Sequence, residues 1–281
     1  MRDFLLGNEP AIRLAAFSSV LAGVALLEAI FPRRVRSVSR WIRWTNNLGM
    51  MFLSTGLVRV VFPTAAIGVA LAIEGSGIGL IPWLGLPDFA GVIAAVVILD
   101  LAIYLQHVML HAVPLLWRFH RMHHADLDFD VTTGGRFHPL EIAVSMVIKV
   151  AVITALGAPV VAVLIFEVLL NATSMFNHAN WRLPAGVDTA LRRFVVTPDM
   201  HRVHHSIEPG ETNSNFGFNL PWWDFLFGTY RAQPAAGHDA MTIGIVQFRQ
   251  PRDLWLDRML IQPLRDDAGP YPVGRREDAS S

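Results

Sequence analysis

A chain of 281 residues, 53% hydrophobic and 16% charged, with a mean hydropathy of +0.41, is too apolar for an ordinary soluble domain and reads as an integral membrane protein. Its 23 basic and 23 acidic residues balance to a net charge of +0 without a long basic run, which argues against nucleic-acid binding and against a polybasic lipid anchor. The absence of cysteine excludes disulfides, thiolate nucleophiles, Cys-ligated zinc and iron–sulfur clusters, so any metal must use His, Asp or Glu.

Crossing a hydrocarbon core of about 30 Å takes about 20 apolar residues as helix, and four regions meet that need: 11–31, 48–73, 89–110 and 140–178. The first is longer than a signal-peptide core and lacks a small-residue cleavage site, so it is expected to stay as an anchor. Arg33, Arg34, Arg36, Arg40 and Arg43 follow it and place that end in the cytoplasm. The second region carries Arg59, expected to mark an imprecise boundary or to snorkel to the interface, and leads to Glu74–Leu80, a connection without Lys or Arg. The third returns to the cytoplasmic side near His107. The fourth is too long for one span, holds the only lysine, Lys149, and has Gly157 and Pro159 near its middle, the marks of a helical hairpin. The expected fold is all-α: an integral membrane helical bundle of about four transmembrane regions, hairpin included, under a cytosolic, histidine-rich helical cap. No linker divides it. We expect an anchor with two spans over 1–88, a catalytic unit over 89–231 and a cytosolic tail packing on the cap over 232–281.

Eight of the eleven histidines fall in three short clusters: His107 with His111; His120, His123 and His124; His201, His204 and His205. Residues three and four apart share a helix face, so HVMLH presents two imidazoles together and HRMHH and HRVHH three each. Neutral imidazole suits iron, zinc, copper and nickel, and two copies of H-x-x-H-H suggest two metals. A lone histidine at a membrane boundary is usually an ordinary hydrogen-bonding group, whereas eight packed together would be desolvated and mutually repulsive on protonation. His138 in RFHPLE and His178 in FNHANW flank the hairpin and can fold over the same patch as further ligands; His238 in AAGHDA reads as a solvated loop side chain. Asp100 and Tyr104 share the helical face of His107 and His111. A carboxylate there suits the second nitrogen of a metal-bound imidazole and would justify a charge inside the membrane; the alternative is a bond to a neighbouring helix. Glu141, Asn171, Asn177 and Asp199 are further candidates for that supporting role.

HVMLH, HRMHH, the NH of FNHANW and HRVHH, in this order after apolar spans, resemble the histidine boxes of the fatty acid hydroxylase and sterol desaturase superfamily, which includes C4-methyl sterol oxidases, sphingolipid hydroxylases and alkylglycerol monooxygenase. TTGGRFHPLE and HRVHHSIEPGETNSNFGFNLPWWDFLFGTY are similar to bacterial sterol-desaturase-type members and to alkylglycerol monooxygenase. The likeness runs from about residue 90 to 231. It implies two iron ions, O2 as co-substrate, and hydroxylation or desaturation at an unactivated C–H bond of a lipid. It also implies His107, His111, His120, His123, His124, His178, His201, His204 and His205 as ligands, with His138 completing a set of ten. Val108 stands where the family commonly has arginine, which is not a ligand position. Zinc is expected to be able to replace iron on purification. Without cysteines or a GxGxxG segment, electrons must come from a separate donor protein. The implied location is a bacterial inner membrane, multi-pass, with the site facing the cytoplasm. Trp222, Trp223, Phe225 and Phe227 are expected either to line an acyl path or to anchor at the interface. A histidine-ligated metal transporter would place its ligands at mid-depth along a pathway, and a zinc hydrolase would need the Glu of H-E-x-x-H; neither pattern is present.

Overall fold

The computed structural model describes residues 2–265 and 268–273, so residues 266–267 and 274–281 of the tail lie outside the described residues. Regular structure among the described residues is helical, with two isolated bridges, Pro32 to Trp181 and Ser206 to Ile243. Five segments are long and apolar enough to cross a membrane: Glu9–Ile30, Arg40–Ile73, Asp88–Ala112, Pro139–Leu156 and Val160–Asn177. The chain is a multi-pass membrane helical bundle.

Its elements are α1 (Glu9–Ile30), α2 (Arg40–Val61), α3 (Ala65–Ile73), α4 (Asp88–Ala112), α5 (Pro114–His124), α6 (Pro139–Leu156), α7 (Val160–Asn177) and α8 (Pro198–His204). The second crossing begins at Arg40, earlier than hydropathy suggested, and is broken between α2 and α3 around Pro63, whose ring removes a backbone donor and blocks the preceding carbonyl. Arg59 is an exposed residue in the last turn of α2, just before that break.

The hairpin turns where expected. Gly157 ends α6 in the left-handed region (φ 61°, ψ 44°) and Pro159 precedes α7. A Cβ on Gly157 would lie 2.2 Å from the Ile78 carbonyl oxygen, and one on Gly79 would lie 2.1 Å from the Gly157 nitrogen. Backbone thus meets backbone where only glycine fits. The contact carries the hairpin tip to the connection between α3 and α4, at the end of the bundle away from the histidines.

Leu99, Ile103, Ile153, Val163 and Phe166 form the centre of the core, where α4 packs on α6 and α7. Hydrocarbon is as apolar as leucine, so association rests on close packing and polar contacts. Ala66, Ala70, Ala95 and Ala162, all at 0% exposure, permit that approach. Phe52, Phe89, Val60 and Leu115 point outward, a liability in water but the ordinary surface of a protein facing lipid.

The tail wraps the histidine end. Trp117 Nε1 donates to Ala268 O (2.9 Å), Val273 N to His111 O (3.0 Å), and Tyr271 Oη to Ile207 O (3.0 Å). His238 is only 5% exposed and its Nε2 lies 3.7 Å from Asp199 Oδ2, so the solvated reading is corrected. Arg34 donates to the carbonyls of His238 and Met241 and pins the loop down, and burial pushes the imidazole down to about 4 despite Asp199.

Candidate metal centre

Four elements converge at this end. The last turns of α4 carry His107 and His111; Pro114 restarts the chain as α5, which carries HRMHH; α7 ends with His178 at its C-terminus; and α8, N-capped by Thr197 (Oγ1 accepting from Met200 N, 3.4 Å), carries HRVHH. Nine histidines form two groups: His107, His111, His120, His124 and His204 in one, and His123, His178, His201 and His205 in the other. Within each group, the potential ligand atoms lie within 4.8 Å of one another.

The two H-x-x-H-H boxes are used reciprocally. In each box the first and fifth positions share a helix face; His120 and His124 enter the five-member group while His123 enters the other, and His201 and His205 enter the four-member group while His204 crosses back. Each box therefore spans both sites and fixes their separation.

Backbone and side-chain acceptors orient the rings. Nδ1 of His107 donates to Phe216 O (2.8 Å), of His123 to Arg136 O (3.2 Å), of His178 to Ser174 O (2.7 Å) and of His204 to Ser214 O (2.8 Å). Nδ1 of His111 donates to Asn213 Oδ1 (3.0 Å), since Asn213 Nδ2 is committed to Tyr271 O (2.7 Å). His120 Nδ1 donates to Glu141 Oε1 (2.7 Å). A proton on Nδ1 leaves a lone pair on Nε2.

These Nε2 atoms converge. His107 and His120 are 3.1 Å apart there, as are His123 and His178, although in both pairs each Nδ1 holds the proton, so lone pair faces lone pair. Donor atoms about 2.1 Å from a shared cation at near-right angles would be about 3 Å apart. Nε2 of His204 and both nitrogens of His205 have no hydrogen-bond partner although buried, which is costly for a polar atom unless something else satisfies it. Burial, reinforced by neighbouring imidazoles, holds His123, His124, His201, His204 and His205 well below the usual histidine range, and burial brings His178 down to about 3. They are neutral donors at physiological pH. The donor set fits transition-metal cations and not calcium or magnesium, which take oxygen.

His138 is not brought into either group. Its Nδ1 accepts from Leu140 N (3.2 Å), so its Nε2 carries the proton and donates to Leu260 O (3.2 Å); the ring caps α6 and holds the tail. Asp100 touches no imidazole: its Oδ2 accepts from Trp223 Nε1 (2.8 Å) and Leu220 N (3.2 Å). It sits seven residues, about 10 Å along the helix, deeper than His107. Tyr104 Oη bonds Thr229 Oγ1 (2.9 Å), and Asn177 Nδ2 donates to Phe218 O (2.9 Å). These three tie down residues 216–229, from which the Phe216 carbonyl orients His107. Asp199 pairs with Arg202 and with Arg33 (3.4 Å). Asn171 donates to Glu167 O on its own helix (2.8 Å). The carboxylate support expected of Asp100 is supplied by Glu141.

Sequence reasoning missed a fully buried polar network beside the centre. Arg43 grips Asp126 with two hydrogen bonds (2.7 and 2.8 Å) and also pairs with Asp130. Thr133 Oγ1 donates to Asp126 Oδ2 (3.0 Å). Arg136 bonds Asn47 Oδ1 (2.9 Å) and Met122 O (2.9 Å), and its own carbonyl orients His123. Burial opposes ionisation of Asp126, but Arg43 and Arg136 outweigh it and hold the carboxyl well below its usual range. The signal available was Asp126 and Asp130 directly after the second box, with the arginine partner 83 residues upstream of Asp126.

A cavity of about 370 Å³ opens among α1, α2, α6 and α7 and reaches the centre at Gly134, Phe137, Glu141 and Phe218. Phe137 stacks on His123 (4.4 Å between centroids). Trp222, Phe225 and Phe227 are 45–51% exposed and do not line it; Trp223 does not line it either and is bonded to Asp100.

Residues 92–229 match the family described as Fatty acid hydroxylase. Over that stretch, just under half of its length, the chain is similar to the fatty acid hydroxylase family. It is 29% identical over 226 residues to ornithine lipid hydroxylase OlsE of Rhizobium tropici, covering 78% of this chain and 66% of that protein. It is 27% identical over 157 residues to human alkylglycerol monooxygenase (54% of this chain, 32% of that protein) and 28% identical over 154 residues to the Xenopus tropicalis enzyme of that name (53% and 31%). The chain thus spans just under two thirds of the first relative and about a third of the others. No solved structure matches it.

Proposed function

We propose that this chain is an O2-dependent, di-iron lipid hydroxylase, with desaturation as the related outcome, and that one iron is held by each histidine group. The observation that carries this reading is the division of nine buried imidazoles into two groups at the end of a cavity set among membrane-crossing helices. The printed activities of the relatives, ornithine lipid hydroxylation and alkylglycerol monooxygenation, support a lipid substrate. Against metal transport, six of the nine rings are fixed by hydrogen bonds at Nδ1, an arrangement that retains an ion and does not pass it on.

Bound iron would supply the oxygen activation needed to attack an unactivated C–H bond; the chain supplies placement. Glu141 both holds His120 and lines the cavity, so the support of one site is in contact with the substrate chamber. Phe137 and Phe218 wall the chamber where it meets the imidazoles, and their apolar surfaces keep water from the reacting carbon. The catalytic unit is placed at 89–231 on an anchor of 1–88, with the centre facing the cytoplasm of a bacterial inner membrane, as the arginines after the first crossing argue. A separate donor protein delivers electrons from that side.

The test is turnover in lipid nanodiscs with iron-loaded protein, a reducing system and heavy-isotope dioxygen. A lipid product carrying one heavy oxygen is expected. Lipids unchanged under dioxygen, with iron bound and electrons delivered, contradict the proposal.

A further inference from the structure

At the other end of the cavity lies a set of charges that the chemistry at the histidines does not use. Glu167, on α7, accepts from Arg13 Nη1 (2.6 Å) and Lys149 Nζ (3.1 Å), and Arg13 also bonds Glu9 (2.9 Å). Arg59, an exposed residue in the last turn of α2 that lines the same cavity, makes no hydrogen bond or ion pair among the described residues. All five belong to segments able to cross the membrane. Ionisable groups there are costly to insert and rarely kept without a partner or a pathway. Three cations face two carboxylates, and the carboxylates are committed to Arg13 and Lys149. Lys149 has three donors and one bond, to Glu167, so the surplus positive charge resides on Arg59 and the remaining hydrogens of Lys149.

The separation suits one end of an amphiphile. Glu167 is ten residues from Asn177, beside His178, or about 15 Å along the helix. Lys149 is eight residues from Glu141, or about 12 Å. Between the ends the cavity is lined by Val58, Ile103, Ile142, Met146 and Leu170, an apolar passage suited to a hydrocarbon chain.

We propose that the Arg59–Lys149 end of the cavity is a subsite for the anionic group of the lipid, a carboxylate or a phosphate, and that it sets which carbon of the chain reaches the histidines. The Arg13–Glu167 pair holds Lys149 in place. The subsite rests on the reading of the cavity as the substrate chamber, and its test is kept apart from turnover. Full-length protein in nanodiscs of neutral lipid is titrated with dansyl-undecanoic acid, and the probe is displaced with dodecanoate, dodecyl phosphate or dodecanol. Both anions, or one of them, should displace the probe about tenfold more effectively than the alcohol, the size of a charge-assisted contact. The preferred anion identifies the source as a free acid or a phosphate headgroup. Arg59→Gln breaks no contact within the protein and should reduce that preference several-fold, as should Lys149→Met, with displacement by dodecanol unchanged. Absence of saturable probe binding, equal displacement by anion and alcohol, or a preference that survives both substitutions overturns the subsite. Iron measured on the same samples separates the two ideas: no anion preference with iron bound refutes the subsite alone, and anion preference without iron refutes only the oxygenase.

Discussion

Replacing Glu141 with Ala removes the one carboxylate that, among the described residues, hydrogen-bonds a histidine of the centre. Its Oε1 accepts from His120 Nδ1 at 2.7 Å, and His120 is 1% exposed. Leaving a buried donor without an acceptor costs about 1–3 kcal/mol, or about fivefold to 150-fold in an equilibrium constant. Loss of the group that supports a metal-bound histidine is of the same size, about 10–100-fold in metal affinity. The assay is iron retained per chain against increasing chelator. Glu141→Ala should release one iron at about a tenth to a hundredth of the chelator needed by the unsubstituted protein and keep the other, since the four-histidine group does not use Glu141. Glu141→Gln, which keeps an acceptor oxygen, should fall between. Equal retention of both irons in Glu141→Ala would refute the reasoning, as would parallel loss of both.

Further substitutions separate support from ligation. Arg43→Met leaves Asp126 and Asp130 buried without the guanidinium they pair with, and thermal denaturation in detergent should show a loss of about 3–5 kcal/mol; a melting profile like that of the unsubstituted protein would contradict the network's importance. His138→Ala should cost about 1 kcal/mol through the lost cap of α6 and leave metal content unchanged, whereas loss of iron would restore His138 as a ligand. His201→Ala should empty the four-histidine group selectively, observed as about half the iron with the spectrum of the other site retained; full loss would mean that the two groups are not separate sites.

The eight histidines of the three boxes were legible because helical spacing is local, whereas His178 was suggested only by its place beside the hairpin, and the division of each H-x-x-H-H box between two groups came only with the packing. Gly157 and Pro159 likewise marked the hairpin turn through local sequence. Asp100 shows the limit of that reasoning. Periodicity places it on the stripe of His107, but rise along the helix puts it about 10 Å away, within reach of Trp223 instead. His138 and His178 flank the hairpin alike, and only the tertiary placement of Leu260 beside one and of His123 and His201 beside the other distinguishes them. The Arg43–Asp126 pair links distant segments and leaves no periodic trace. The charges on this cavity were visible singly, as Lys149 and Arg59 in apolar runs, but that both line one cavity depends on how α2, α6 and α7 pack.

The measurement that bears most directly on the account is elemental analysis of gently solubilised protein loaded with ferrous iron under anaerobic conditions, beside the His123→Ala, His204→Ala double variant. His123 belongs to one group and His204 to the other, so the double variant weakens both sites. The account expects close to two irons per chain in the unsubstituted protein and a loss of most of that iron in the variant. No iron bound to the intact protein, or equal iron in both, would contradict it.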